Sequence, residues 1–310
     1  MDDISTAALL PIPVRTLSTD APTEIFEFAV ERFQAGGDVA VAFLVEIRGG
    51  AARGLGAPMV IDADGRFCGY VSGGCTEAAV AAEALLAMRT GSDRIVKFGA
   101  GSPYFDIALP CGGGISVAIH VLRDETAVKG VLAALAMRHA VGMKYSPEHQ
   151  TLEIADAPRS AGWEQGDFMA VYRPSTRLLV SGQTIEAEAV TRLAEVSGYE
   201  VMQAYPEARG IDWRSKIDEY TASVLLHHDL DRETNILGAA LQAPGFYIGA
   251  LGSTRTHRLR VDRLLALGYT HIDLERIHAP IGMFGPTRDS IALALSILAD
   301  IAATRLTRYN

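Results

Sequence analysis

Residues 177–205 read RLLVSGQTIEAEAVTRLAEVSGYEVMQAY. An apolar run of strand length is followed by a small-residue turn, then by an amphipathic stretch spanning 185–197, then by a second apolar run. A strand that returns through a helix lies parallel to its predecessor, so this stretch reads as a βαβ unit. The pattern continues downstream through SVLLHH (223–228), a helix over 231–242, YIGAL (247–251), a helix over 255–267 and a last helix over 287–305. Such alternation predicts a parallel, doubly wound α/β sheet covered by helices.

Upstream of this unit, residues 147–176 turn polar and irregular, with PEHQ, DAPRSAGWEQGD and RPST. The domain join is therefore placed near Pro174, giving an N-terminal domain over 1–174 and a C-terminal one over 175–310. The N-terminal part also reads as α/β. Thr23 is the expected N-cap of a helix carrying Ile25, Phe26, Ala29, Val30 and Phe33 inward and stopping at Gly36-Gly37. VAVAFLVEI (39–47) suits a strand buried on both faces. PMVID and RFCGYV flank Ala63-Asp64-Gly65 as a hairpin. A helix of about 14 residues is expected from Thr76 to Gly91. Strands over 94–98 and 115–122 and a helix over 125–139 complete the layer.

A chain of 310 residues is long enough for two cores. Its net charge of −9 and the lack of a Lys/Arg stripe argue against a nucleic-acid partner. Cys68, Cys75 and Cys111 are an odd set with neither a CxxC pair nor a zinc-type Cys/His pattern, which suits reduced thiols in a cytoplasmic setting. The N-terminus MDDISTAALLPIPVRTL opens acidic, and no apolar run approaches the ~18 residues of a membrane span, so no membrane partner is expected.

Chemistry concentrates in the glycine-rich turns. In Ser72-Gly73-Gly74-Cys75-Thr76-Glu77 a strand ends, two residues without Cβ let a ligand approach the backbone, and a cysteine meets the start of a helix. The positive end of the helix dipole favours an anionic sulfur there, fit to bind a soft metal or act as a nucleophile, with Glu77 partly opposing it. The bland alternative is a tight turn around a small buried cysteine. Cys68, mid-strand beside Phe67, reads as core. Pro110-Cys111-Gly112-Gly113-Gly114 is a second accessible turn, and Arg53-Gly54-Leu55-Gly56-Ala57 places a guanidinium in a third, either as a phosphate clamp or as a solvated surface charge. In the C-terminal domain Gly252-Ser253-Thr254-Arg255 offers N–H donors, hydroxyls and a positive charge to a phosphate, or else a plain N-cap. His227-His228-Asp229 ends a strand at the edge where α/β sheets place ligands. A dinucleotide fingerprint would need a second glycine where Thr184 stands and an acidic residue near Tyr205, so NAD(P) is not expected.

The segments RGLGAPMVIDADGRFCGYVSGGCTE (53–77), PCGGGISV (110–117), HHDLD (227–231), YIGALGSTRT (247–256) and RIHAPIGMFGPTRDSIALALSILADI (276–301) together resemble the xanthine dehydrogenase accessory proteins of the XdhC/CoxI family. They do so in that family's order and across both domains. The resemblance implies a Rossmann-like C-terminal domain and a chaperone, not an enzyme with a small substrate. It implies a protein that binds molybdenum cofactor of the molybdopterin type, shields it, supports its sulfuration and delivers it to a molybdenum hydroxylase of the xanthine dehydrogenase kind; a cleft between the domains is the expected place for that cofactor. A cysteine desulfurase as second partner and a homodimer go with it. Carried over by position, Cys75 is the metal ligand; Gly73, Gly74 and Glu77 lie with it at the cofactor, and Arg53, Cys111, Gly112, Gly252, Ser253 and Arg255 stand near. This chain departs from the family where a Gly-Ala-Gly-His turn is replaced by Gly182-Gln183-Thr184-Ile185 and where MFGPT (283–287) shortens a loop. Three rival readings stay open: an NAD(P)-dependent oxidoreductase, a cysteine-nucleophile hydrolase or transferase using Cys75 with His228 as base, and a purely structural subunit, which the number of glycine loops disfavours.

Overall fold

The apolar run at 39–45 decides the first half of the architecture, because every side chain in it is buried and it therefore needs a layer on each side. In the computed structural model of the chain, which describes residues 10–99, 102, 112–205 and 210–309, two compact units separate as Met1–Arg173 and Pro174–Asn310. The first unit contains β1 (Val14–Leu17), α1 (Pro22–Gln34), β2 (Val39–Arg48), β3 (Pro58–Asp62), β4 (Arg66–Gly69), α2 (Glu77–Thr90), β5 (Arg94–Gly99), β6 (Gly114–Val121), α3 (Thr126–Ala136), β7 (Val141–Ser146), β8 (Thr151–Ala155), β9 (Gly162–Glu164) and β10 (Asp167–Tyr172). Its main sheet has the order β1-β4-β3-β2-β6-β5, antiparallel except for the β1–β4 pair. Alternate residues of β2 supply two cores. Ala40, Ala42 and Leu44 pack with Val80, Ala81 and Ala84 of α2, whereas Val39, Val41 and Phe43 pack with Ile25, Phe26 and Ala29 of α1 and Val128 of α3.

Residues 147–176, read from sequence as polar and irregular, instead carry β8, β9 and β10, which with β7 form a second antiparallel sheet of order β8-β7-β10-β9. Only one of its faces is buried, through Val141, Met143, Tyr145, Phe168, Ala170 and Tyr172, so its apolar density is low. Two of its turns put Gln150 and Gln165 at positive φ, of 52° and 51°; the first holds no glycine that would have signalled it, and in the second Gly166 follows at 95°. The sheet is pinned to the first by Trp163, whose Nε1 donates to the carbonyl of Val45 at 3.0 Å, and by Tyr172, whose hydroxyl donates to Gly56 O at 3.1 Å. Helix α1 starts at Pro22 with Ala21 as N-cap, not at Thr23, because proline's fixed φ suits the first helical turn and its missing N–H has no intrahelical partner to lose.

The second unit contains β11 (Arg177–Ser181), α4 (Ile185–Val196), β12 (Glu200–Ala204), β13 (Thr221–Leu225), α5 (Leu230–Leu241), β14 (Tyr247–Ala250), α6 (Thr254–Ala266), α7 (His271–Leu274), β15 (Ile277–His278) and α8 (Ser290–Tyr309). All pairings are parallel and the order is β12-β11-β13-β14-β15, the doubly wound arrangement expected from the alternation of strand and helix. One face packs under α4 and α8, with Val190, Ala194, Ala294 and Ile297 against Leu178, Val180 and Val224. The other packs Ile236, Leu237 and Leu264 of α5 and α6 against Leu179 and Leu225. Helix α8 is the one described helix long and apolar enough to cross a bilayer by length and composition, which the sequence reading did not pick out. Ala294, Ile297, Leu298 and Ile301 on it are buried against the sheet, and that packing accounts for part of its apolarity.

Between α5 and α6 lies a buried ion pair. Arg260 holds Glu233 through Nε–Oε1 at 2.5 Å and Nη2–Oε2 at 3.1 Å, with both side chains 1% exposed, and Nη2 also donates to Leu251 O at 2.7 Å. Removing one partner strands a charge in a dry interior. Glu233→Ala is therefore expected to lower the stability of the second unit by about 3–5 kcal/mol. The double variant Glu233→Leu/Arg260→Met should recover most of that loss, both being read from urea denaturation midpoints.

Candidate functional site

Strand register brings most of the first unit's glycine-rich turns to one end of its main sheet. Arg48 at the end of β2 faces Gly114 at the start of β6, Gly114 also faces Gly99 at the end of β5, and Gly69 at the end of β4 faces Met59. The segments 49–57, 70–76 and 112–113 all leave from that end. They also touch. A Cβ on Gly113 would lie 2.7 Å from Arg48 O and 2.9 Å from Gly50 O, and one on Gly73 would lie 3.0 Å from the Ala52 methyl. The sheet thus gathers Gly73, Gly74, Cys75, Glu77, Arg53 and Gly112 at one edge, whereas Cys111 lies outside the described residues.

The conformation of residues 71–76 is set by Glu77. Its Oε1 accepts from the backbone N–H of Val71, Ser72 and Gly73 at 2.8–3.1 Å, and Oε2 accepts from Gly74 N at 2.9 Å and Thr76 N at 3.2 Å. The Ser72 hydroxyl reaches both carboxylate oxygens, at 3.1 and 2.9 Å, and receives Thr76 N at 3.0 Å. Gly73 and Gly74 turn the amides inward at φ values of 92° and 119° that side chains rarely adopt. Burial alone would raise the pKa of Glu77, but hydrogen bonds from the Ser72 backbone and hydroxyl and from its neighbours outweigh this and hold the carboxyl below the usual carboxylate range. The amides that the sequence offers to a phosphate therefore already face an anion supplied by the chain.

The same fold sorts the cysteines. Cys75 is exposed at the tip of the loop, which removes the bland reading of a buried small residue. Cys68 is buried in the core as expected, and burial pushes its thiol up to about 12. Beside the loop, Arg53 donates to Asp20 Oδ2 at 2.7 Å and its guanidinium stands 5.3 Å from the ring of Tyr70, over which Arg15 also lies at 4.0 Å. The Tyr70 hydroxyl shares a 2.6 Å hydrogen bond with Ser18. These neighbours were not legible in the sequence, because β1, which brings Arg15 and Ser18 alongside β4, is short and mostly exposed.

In the second unit the strand order reverses between β11 and β13, where doubly wound sheets place ligands. Here Ser181 Oγ and His227 Nε2 share a buried 2.8 Å hydrogen bond, a pairing the sequence did not reveal. Asp229 caps α5 by accepting from Asp231 N, so His228 alone of the His-His-Asp run points a free-standing exposed imidazole outward. Gly182 is needed for packing, since a Cβ there would lie 2.7 Å from Leu226 O, and the Thr184 side chain caps α4 by accepting from Ala187 N at 3.2 Å. Gly252 has φ 128°, the Ser253 hydroxyl accepts from Thr256 N at 3.3 Å as the cap of α6, and Arg255 is exposed in its first turn. His278 enters the sheet in β15, lies 4.5 Å from the Tyr247 ring and pairs with Asp300 at 3.4 Å. On native protein, iodoacetamide is expected to label Cys75 and to spare Cys68 until the chain is denatured, as peptide mass mapping would show.

Comparison with known proteins places this geometry. The sequence model described as the XdhC and CoxI family matches residues 33–99, which include the Cys75 loop, and that of the XdhC Rossmann domain matches residues 178–301. The molybdenum cofactor insertion chaperone PaoD of Escherichia coli K12 is 45% identical over 296 residues, covering 95% of this chain and 92% of that protein. The uncharacterized protein YqeB of the same organism is 26% identical over 269 residues, covering 84% of this chain and 42% of its own. A Bacillus halodurans protein solved as a xanthine dehydrogenase (BH1974) shares the fold with a TM-score of 0.71 over 93% of this chain and 96% of that one, at 19% identity. This chain belongs to the XdhC and CoxI family.

Proposed function

We propose that the chain is a chaperone that takes up a molybdenum cofactor of the molybdopterin type and passes it to a molybdenum hydroxylase. The observation that carries this reading is the 45% identity, along almost the whole of both chains, to a molybdenum cofactor insertion chaperone. When bound, the cofactor brings a metal with sulfur and oxygen ligands of its own, together with a phosphate. The residues at the loop fit the metal end of such a guest. Cys75 presents an exposed soft donor, and nothing lies within 4 Å of where a Cβ on Gly74 would be, so a bulky group can approach the backbone. The loop amides of Ser72, Gly73 and Gly74, which precede α2, donate to Glu77 and so are not offered to the phosphate. In the first unit Arg53, beside Tyr70, offers a charge to a phosphate, and in the second, taken by itself, the Gly252-Ser253-Arg255 turn offers a separate set of donors.

On this reading the chain releases no product of its own. Cys75 holds the guest, and the exposed position of the loop leaves it within reach of a client. The client is taken to be of the xanthine dehydrogenase kind, sulfuration to involve a cysteine desulfurase, and the working form to be a cytoplasmic homodimer. Protein purified from cofactor-sufficient cells is expected to carry molybdenum by metal analysis and a pterin by fluorescence after oxidation, and Cys75→Ala is expected to lose most of both. Equal retention in the two proteins would remove Cys75 from the site.

A further inference from the structure

We propose that Glu77 is a positioning residue for Cys75, acting through the backbone of residues 71–76 and touching no ligand itself. The inference rests on the functional reading above and assigns Glu77 a part in it opposite to that of a cofactor contact. A carboxylate has about four lone-pair sites, and here they are engaged by the N–H groups of Val71, Ser72, Gly73, Gly74 and Thr76 and by the Ser72 hydroxyl. The side chain is 1% exposed and faces its own loop, so it presents no oxygen outward.

The arrangement exceeds what starting a helix requires. A threonine N-cap ordinarily satisfies an amide of the first turn with its own hydroxyl. Thr76 occupies the N-cap of α2, yet its side chain makes no cap bond and its Oγ1 is buried without a hydrogen-bond partner. The chain thus forgoes the simple cap, commits two consecutive glycines to positive φ and buries a charge. Each of these is a cost that a plain strand-to-helix turn avoids. What they accomplish together is to fold residues 71–76 around an internal anion and leave Cys75 exposed beside Gly73 and Gly74. Glutamine is not an equivalent here, because its NH2 would face backbone N–H groups, donor against donor.

The test compares wild type, Glu77→Gln, Ser72→Ala and Cys75→Ser by hydrogen exchange read by mass spectrometry and by bound molybdenum and pterin. Glu77→Gln is expected to speed exchange in the peptide covering 70–78 while leaving β2 and β6 as in wild type. It should also weaken molybdenum retention by about 10–100-fold with Cys75 intact, the usual effect of losing a group that orients a metal ligand. Cys75→Ser should lose molybdenum with its loop exchange unchanged, a separation that a merely structural role for Glu77 does not predict. Slow exchange in Glu77→Gln, or fast exchange with wild-type retention, overturns the proposal. Should Glu77→Gln loosen the whole first unit, Ser72→Ala decides by the same two readouts, since it removes the hydroxyl from the cradle and keeps the charge. A wild type without molybdenum defeats the functional reading; the positioning role is then judged by the iodoacetamide labelling rate of Cys75, which must differ between wild type and Glu77→Gln at unchanged fold for the inference to stand.

Discussion

A buried carboxylate that accepts hydrogen bonds from its own loop is the constraint on which the first unit's functional edge depends. Backbone amides at a turn must be satisfied by something, and water, a ligand or a side chain can each do it. In this chain Glu77 takes that part, which fixes the path from β4 into α2 and with it the direction of the only exposed thiol among the described residues. The turn is therefore organised before any guest arrives. Order built into the resting protein reduces what binding must supply.

The rest of the unit serves that edge. Strand β2, buried on both faces, acts as a spine whose two sides are closed by α2 and by the α1, α3 and second-sheet layer. A register shift in β2 between Leu44 and Glu46 marks where the strand meets the loop-bearing end, and the carbonyl of Val45 at that shift takes the indole hydrogen bond of Trp163. The small sheet thus braces the larger one close to the loops. In the second unit the analogous edge is stiffened differently, by capped helix starts at Thr184, Asp229 and Ser253 and by the Ser181–His227 bond.

Much of this was legible in the sequence, and the failures have definite causes. The parallel sheet followed from apolar runs alternating with helical periodicity, and the hairpin from Asp64-Gly65, where Gly65 does take a φ of 80°. The second sheet was lost because one-sided burial dilutes its pattern and because its first turn puts Gln150, not a glycine, at positive φ. In the candidate loop, the glycines and Cys75 could be singled out because small residues before a helix are informative by type. The role of Glu77 could not, since an acidic residue in a first helical turn reads as a dipole partner and only the fold shows it curling back onto the loop. Arg53 was found as a charge, but its neighbours Asp20 and Tyr70 come from segments that only strand register brings alongside.

One consequence follows from where the two tryptophans of the chain fall. Trp163 sits in the first unit, 43% exposed at the clasp between its sheets, and Trp213 sits in the second, 6% exposed against its core. Indole emission shifts to longer wavelength in contact with water, so the two halves of the molecule glow at different colours. The chain carries its own pair of optical gauges, one for each half.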